Sequence, residues 1–197
     1  MWGNKIDTLR RGGAQGFPPG GSLSFKEEIF IKNVRNMVLC SLFASLTAVC
    51  AWTAIPLPAV SFTMQTFAVL LTLGVLGGKR GSVSILLYLL LGIIGLPVFT
   101  GFRGGIHALL DPTGGFLWGF LLAGLAYWLT EKLGMLPAMV CAMLVCYFCG
   151  SWWFHLYAGV RLPSAALTCV VPWLIPDAVK LALAYTIARR IGRTVKI

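Results

Sequence analysis

Charge is the scarcest commodity in this 197-residue chain: 11% of its residues are charged, only six are acidic, and 58% are hydrophobic. A soluble domain carries about 25% charged residues. Too few are present here to cover a water-facing surface, and the mean hydropathy is +0.85. Disorder, a nucleic-acid module and an ordinary cytosolic enzyme are excluded on this ground. Histidine is nearly absent. His107 and His155 stand in separate segments and no H-E-x-x-H occurs, so a metal or acid–base cluster has little to work with. No G-x-x-x-x-G-K-[ST] occurs either, and Gly77-Gly78-Lys79-Arg80 reads as a helix-end loop rather than a phosphate cradle. The six cysteines all lie in apolar stretches and read as buried thiols rather than a disulfide frame or a zinc site.

What the sequence does contain is long uncharged runs. The stretch from Asn36 to Gly78 has no charge. At ~1.5 Å per residue against a hydrocarbon core of ~30 Å it holds two helices, and Pro56 and Pro58 supply the break. The apolar runs predict six spanning helices, over 37–55, 62–77, 82–96, 114–129, 135–154 and 176–191. Outer loops are expected at 56–62, 98–113 and 155–168. Residues 1–36 hold glycine and proline pairs and six Lys/Arg. They read as a basic flexible cytoplasmic tail, with an amphipathic surface stretch over 25–34, ahead of a membrane domain over 37–197. With the N-terminus inside, thirteen Lys/Arg fall on the cytoplasmic side and only Arg103 and Arg161 outside. This bias puts both termini in the cytoplasm and explains the net charge of +10 as membrane topology. The fold class is an all-α, multi-pass bundle of the cell membrane.

Four constellations carry possible chemistry. In Ile175-Pro176-Asp177-Ala178-Val179-Lys180, proline suits a first helical position and places Asp177 in the first turn. Lys180 follows on the same face. Ionisable groups in a spanning segment are costly and usually face a cavity or a partner; here they form either a structural pair or a ligand site. Ser61-Phe62-Thr63-Met64-Gln65-Thr66 offers Thr63 and Gln65, either as helix caps or as donors and acceptors to a solute. Glycine-rich 96–105, with 111–116, is either a tight outer loop or a lid. Small-residue ridges, Ala44 with Ala48 and Gly115, Gly119 with Ala123, permit close helix contact in lipid.

Six motifs stand in order. They are Thr63-x-Gln65-Thr66-Phe67, Gly78-Lys79-Arg80-Gly81, Tyr88-Leu89-Leu90-Leu91-Gly92, Gly95-Leu96-Pro97-Val98-Phe99, Pro112-Thr113-Gly114-Gly115 and Pro176-Asp177-x-x-Lys180. Over 37–191 the chain resembles the biotin-specific substrate-binding (S) component, the BioY family, of energy-coupling factor (ECF) transporters. The resemblance implies a six-helix bundle with an outward-facing vitamin pocket, no catalysis by this chain, and biotin as ligand with no cofactor. It also implies partners: a transmembrane coupling subunit and two ATPase subunits. Asp177 and Lys180 are implied as pocket residues, and Ala44-x-x-x-Ala48 as the motif that docks on the coupling subunit. Phe116 departs from the family, where tyrosine is common, and proline directly precedes Asp177 where many relatives insert glycine.

The residue types suit biotin. Its ureido ring offers two N–H donors and a polarised carbonyl, matching an Asp acceptor and a Lys or Gln donor. Its apolar bicycle calls for aromatic walls, with Tyr88, Phe99, Trp118, Trp153 and Trp173 as candidates. The valerate carboxylate calls for a cation near the mouth, Arg103 or Lys180. Competing readings are an autonomous permease, an S component for a different vitamin, and a small membrane enzyme. No nucleophile–base–orienter set supports the last.

Overall fold

In a computed structural model the protein is described over residues 25–55 and 62–194. The expected tail up to residue 24, Pro56, Pro58 and nearly all of the expected 56–62 loop lie outside the described residues. Compact units divide between Arg35 and Asn36. In the first, residues 25–35 are helical with Ile29, Phe30 and Ile31 exposed.

Helix α1 spans Phe25–Trp52, starting twelve residues before the expected Met37. It stops short of Ile55 because a residue preceding proline is pushed towards extended backbone. Ala54–Ile55 (β1) instead pairs antiparallel with Phe62–Thr63 (β2). Thr63 is therefore extended and Gln65 opens the next helix, α2, which spans Gln65–Ile93. Neither residue is a cap: Met64 holds the N-cap position without a side-chain hydrogen bond.

α2 is two arms, not one rod. Gly77 sits at φ 77°, ψ 171°, a left-handed backbone that glycine adopts without Cβ strain. The backbone of Thr72 and Leu73 lies 3.2–3.4 Å from where a Cβ on Gly81 would stand. Eight residues of straight helix would separate those positions by about 12 Å, so the chain reverses at Gly77. Glu131 secures the reversal by accepting the Gly78 N–H at 2.9 Å, satisfying one of the helix-start donors that lack an intrahelical partner.

A glycine-rich segment with positive φ at Gly95, Gly101 and Gly105 leads into the short α3, His107–Leu110. Next come α4, Gly114–Thr130, a 3₁₀ turn over Glu131–Leu133, and α5, Met135–Ala158. The expected 155–168 loop is corrected. α5 runs to Ala158, and α6 occupies Leu162–Cys169 with proline in its first turn. A 3₁₀ turn over Val171–Trp173 joins α7, Leu174–Thr194.

Helices α4 and α5 make the most extensive contact, and α2 packs on both α4 and α7. Side chains interlock across the first of these interfaces. A Cβ on Gly115 would stand 2.1 Å from Trp153 Cβ, and one on Gly150 would stand 2.4 Å from the Phe116 ring. Leu73, Ile85, Tyr88 and Met139 are fully buried at the centre. Large apolar side chains elsewhere face outward, among them Met37, Val38, Leu144, Phe148 and Val179, as in a protein solvated by lipid. Among the described residues four helices are long and apolar enough to cross a membrane: Ile29–Trp52, Gln65–Ile93, Met135–Ala158 and Leu162–Gly192. α4, at 17 residues, reaches about 26 Å.

Candidate functional site

The start of α7 turns two ionisable side chains inward. Asp177 and Lys180 are 5% and 4% exposed and form an ion pair of 2.7 Å from Nζ to Oδ1. Burying such a pair costs several kcal/mol per ion unless further bonds complete it, and here they do. The Lys180 ammonium donates to the Thr63 carbonyl at 2.7 Å and to Thr66 Oγ1 at 3.3 Å, and its Nζ lies 4.0 Å from the centroid of the Phe62 ring. The Thr66 hydroxyl donates to Asp177 Oδ1 at 3.4 Å, and the Tyr147 hydroxyl to Asp177 Oδ2 at 2.7 Å. α2, α5, α7 and β2 thus converge on one ion pair.

A second network descends from the glycine-rich segment. Gln65 Nε2 donates to Tyr88 Oη at 2.6 Å, and the Tyr88 hydroxyl donates to the Val98 carbonyl at 3.2 Å. Thr100 Oγ1 donates to Gln65 Oε1 at 3.3 Å. Phe99 packs edge-on against Tyr88, with centroids 5.6 Å apart. It fills a notch over Gly92, where a Cβ would stand 2.0 Å from the ring.

Both networks converge on one cavity, open at its mouth. Its walls combine aromatic rings (Phe62, Phe99, Phe116, Phe120, Trp173) with polar side chains, among them Thr66, Thr100, Thr113 and Tyr147. Arg103 stands at the mouth, its Nη1 2.5 Å from Asp111 Oδ2 and its Nε donating to the Thr100 carbonyl. Of the expected site residues, Thr63, Gln65, Phe99, Arg103, Asp177 and Lys180 line the cavity. Tyr88 lies behind the wall and acts through Gln65 and Phe99. Trp173 lines the cavity, whereas Trp118 is exposed and the Trp153 indole donates to the Asp111 carbonyl.

Ala44 and Ala48, expected to face a coupling subunit, are buried at 2% and 6% exposure within this chain's own core. Small-residue spacing marks a close contact but not which helix makes it, and here the contact is intramolecular. The exposed face of α1 carries Met37, Val38, Leu42 and Val49 instead.

The profile of the BioY family matches residues 23–197. The chain belongs to the BioY family. It is 38% identical to the "Probable biotin transporter BioY" of Pyrococcus horikoshii over 165 residues, which cover 80% of this chain and 96% of that protein. It is 37% identical to the "Biotin transporter BioY" of Thermotoga maritima over 165 residues, 81% and 97% of the two chains. The crystal structure of the S-component for biotin from an ECF-type ABC transporter shares the fold. Its TM-score is 0.76 over 87% of this chain and 95% of that chain, at 22% identity.

In this BioY-family chain the sequence reading missed Tyr147, Thr66, Thr100 and Phe62. Thr66 and Phe62 were in sight, since both flank Gln65 and Thr63. Tyr147 gave no signal, lying alone in an apolar run of α5. Cys146 and Cys149 flank it at C-x-x-C spacing, and both are free thiols. Among the described residues no group of three or more His, Cys, Asp or Glu is gathered to hold a metal ion.

Proposed function

We propose that this chain captures biotin at the outer side of the membrane and delivers it for uptake as the substrate-specific subunit of an ATP-driven ECF transporter. The observation that carries the reading is the cavity's polar inventory. A buried carboxylate and a primary amide, each with unused hydrogen-bonding capacity, line a pocket walled by aromatic rings. A carboxylate offers about four acceptor positions and an amide two N–H donors. Asp177 Oδ2 accepts one hydrogen bond, from Tyr147, and one Gln65 N–H goes to Tyr88. The ureido N–H groups of biotin would meet Asp177 and its carbonyl the second Gln65 N–H, while the apolar bicycle lies against Phe99, Phe116 and Trp173. Lys180 acts by holding the Asp177 carboxylate in place. The relatives named as biotin transporters support the ligand.

The topology proposed is six spans, formed by α1, the two arms of α2, α4, α5 and α7, in the plasma membrane with both termini cytoplasmic. The inside excess of Lys and Arg supports it. The chain carries no P-loop, so two partner ATPases would hydrolyse ATP, linked through a transmembrane coupling subunit.

Titration of the purified chain with biotin tests the capture step, and saturable 1:1 binding is expected. Uptake in cells should require the partner subunits. Biotin equilibration across vesicles that hold this chain alone would make it an autonomous permease and overturn the transporter reading.

A further inference from the structure

Three of the residues that line the cavity, Phe99, Thr100 and Arg103, come from one turn of the segment between α2 and α3. The Phe99 N–H closes that turn by donating to the Arg103 carbonyl at 2.9 Å. The chain entering the turn is gripped from two helices. The Pro97 carbonyl accepts the indole N–H of Trp52, at the end of α1, at 2.8 Å. The next carbonyl, that of Val98, accepts the Tyr88 hydroxyl from α2 at 3.2 Å. Each peptide unit is a rigid plane, so holding two consecutive units fixes the direction in which Phe99 leaves them.

Trp52 holds the same turn a second time. Phe102 has φ 58°, the one positive φ outside glycine among the described residues. A bulky side chain is strained there, and such a conformation persists only where its surroundings hold it. The Phe102 ring stacks on the Trp52 indole, with centroids 5.0 Å apart and planes inclined by 27°. A tryptophan at a membrane interface ordinarily turns its polar edge to the headgroup layer. Here the N–H is spent on one backbone carbonyl, and the indole does not line the cavity.

Resting on the biotin reading, we propose that Trp52 is a positioning residue of the binding site. From the end of α1 it sets the 97–103 backbone, and through that backbone it seats Phe99 as a wall of the cavity.

The test is calorimetric titration of the full chain in detergent with biotin. Trp52→Phe keeps a ring to stack on Phe102 and removes the N–H. The dissociation constant should rise about threefold or more, within the range that one neutral hydrogen bond commands. A merely structural role would cost the same whatever stands at position 99. Action through the wall predicts coupling: in a Phe99→Leu background, the same substitution should produce less than half the fold-change seen in the parent chain. Phe99→Met serves as the background where the leucine variant does not fold. A change under threefold in the parent chain overturns the inference, and so does one more than half as large in the position-99 background; either leaves the proposed function standing. Failure of the parent chain to bind biotin overturns the proposed function, and this inference with it.

Discussion

Removing the charges at positions 177 and 180 one at a time and then together separates a binding role from a structural one. Asp177→Asn keeps the shape but leaves the Lys180 ammonium, 4% exposed, with only a carbonyl and a hydroxyl as neutral partners. Stranding one member of a buried pair costs ~3–5 kcal/mol of stability. Asparagine also presents an amide N–H where the carboxylate accepted. Losing a hydrogen bond to a charged group costs ~1.5–3 kcal/mol, or roughly ten- to hundredfold in affinity at ~1.4 kcal/mol per decade. Adding Lys180→Met removes the stranded charge. A buried pair contributes little net stability relative to a neutral, well-packed replacement, so the double variant should recover most of the lost melting temperature. Its biotin affinity should stay at least tenfold down, because the acceptor is still missing. Melting temperature and calorimetric titration on the same three purified proteins give the cycle. A double variant that binds biotin like the parent chain would remove the pair from the site. One whose stability is not restored would make the pair structural.

Tyr147→Phe deletes one hydrogen bond to the buried Asp177 carboxylate; the melting temperature of the ligand-free chain should fall with a loss of ~1.5–3 kcal/mol, and unchanged stability would contradict the placement of Tyr147. Gly92→Ala drives a methyl into the Phe99 ring, an overpacking of ~1–3 kcal/mol. Calorimetry should show biotin binding weakened as that wall moves, and normal binding would show that Phe99 does not shape the cavity. Ala44→Trp should lower the melting temperature of the isolated chain, since the site is internal; intact stability with lost transport would return the ridge to a partner. For topology, in a cysteine-free background an impermeant maleimide applied outside should label Ile106→Cys but not Lys132→Cys, and the reverse pattern would invert the proposed orientation.

Local signals in the sequence reached far into this structure where geometry is short-range. Asp177 and Lys180 are three residues apart on a helix, so their partnership needs nothing but the helical repeat. The break at Gly77 was legible from paired glycines ahead of Lys79-Arg80. α6 was not: its eight residues are too short for a periodic pattern, and their position next to a span end reads as loop. Tyr147 and the inward turn of Ala44 depend on which helices meet, and spacing along one helix carries no such information. The strand pair at β1 and β2 was half legible, through the bias that Pro56 imposes on Ile55.

The mutual seating of Trp153 over Gly115 and of Phe116 over Gly150 has a mechanical corollary. The Trp153 stem and the Phe116 ring each sit where a glycine leaves room, and the two glycines lie on opposite helices. Sliding α4 along α5 in either direction would drive a ring into a neighbouring side chain, so the two helices move as one rigid body. Any rearrangement that loads or empties the cavity must then hinge elsewhere, at β2 and the segment between α2 and α3, which also line it.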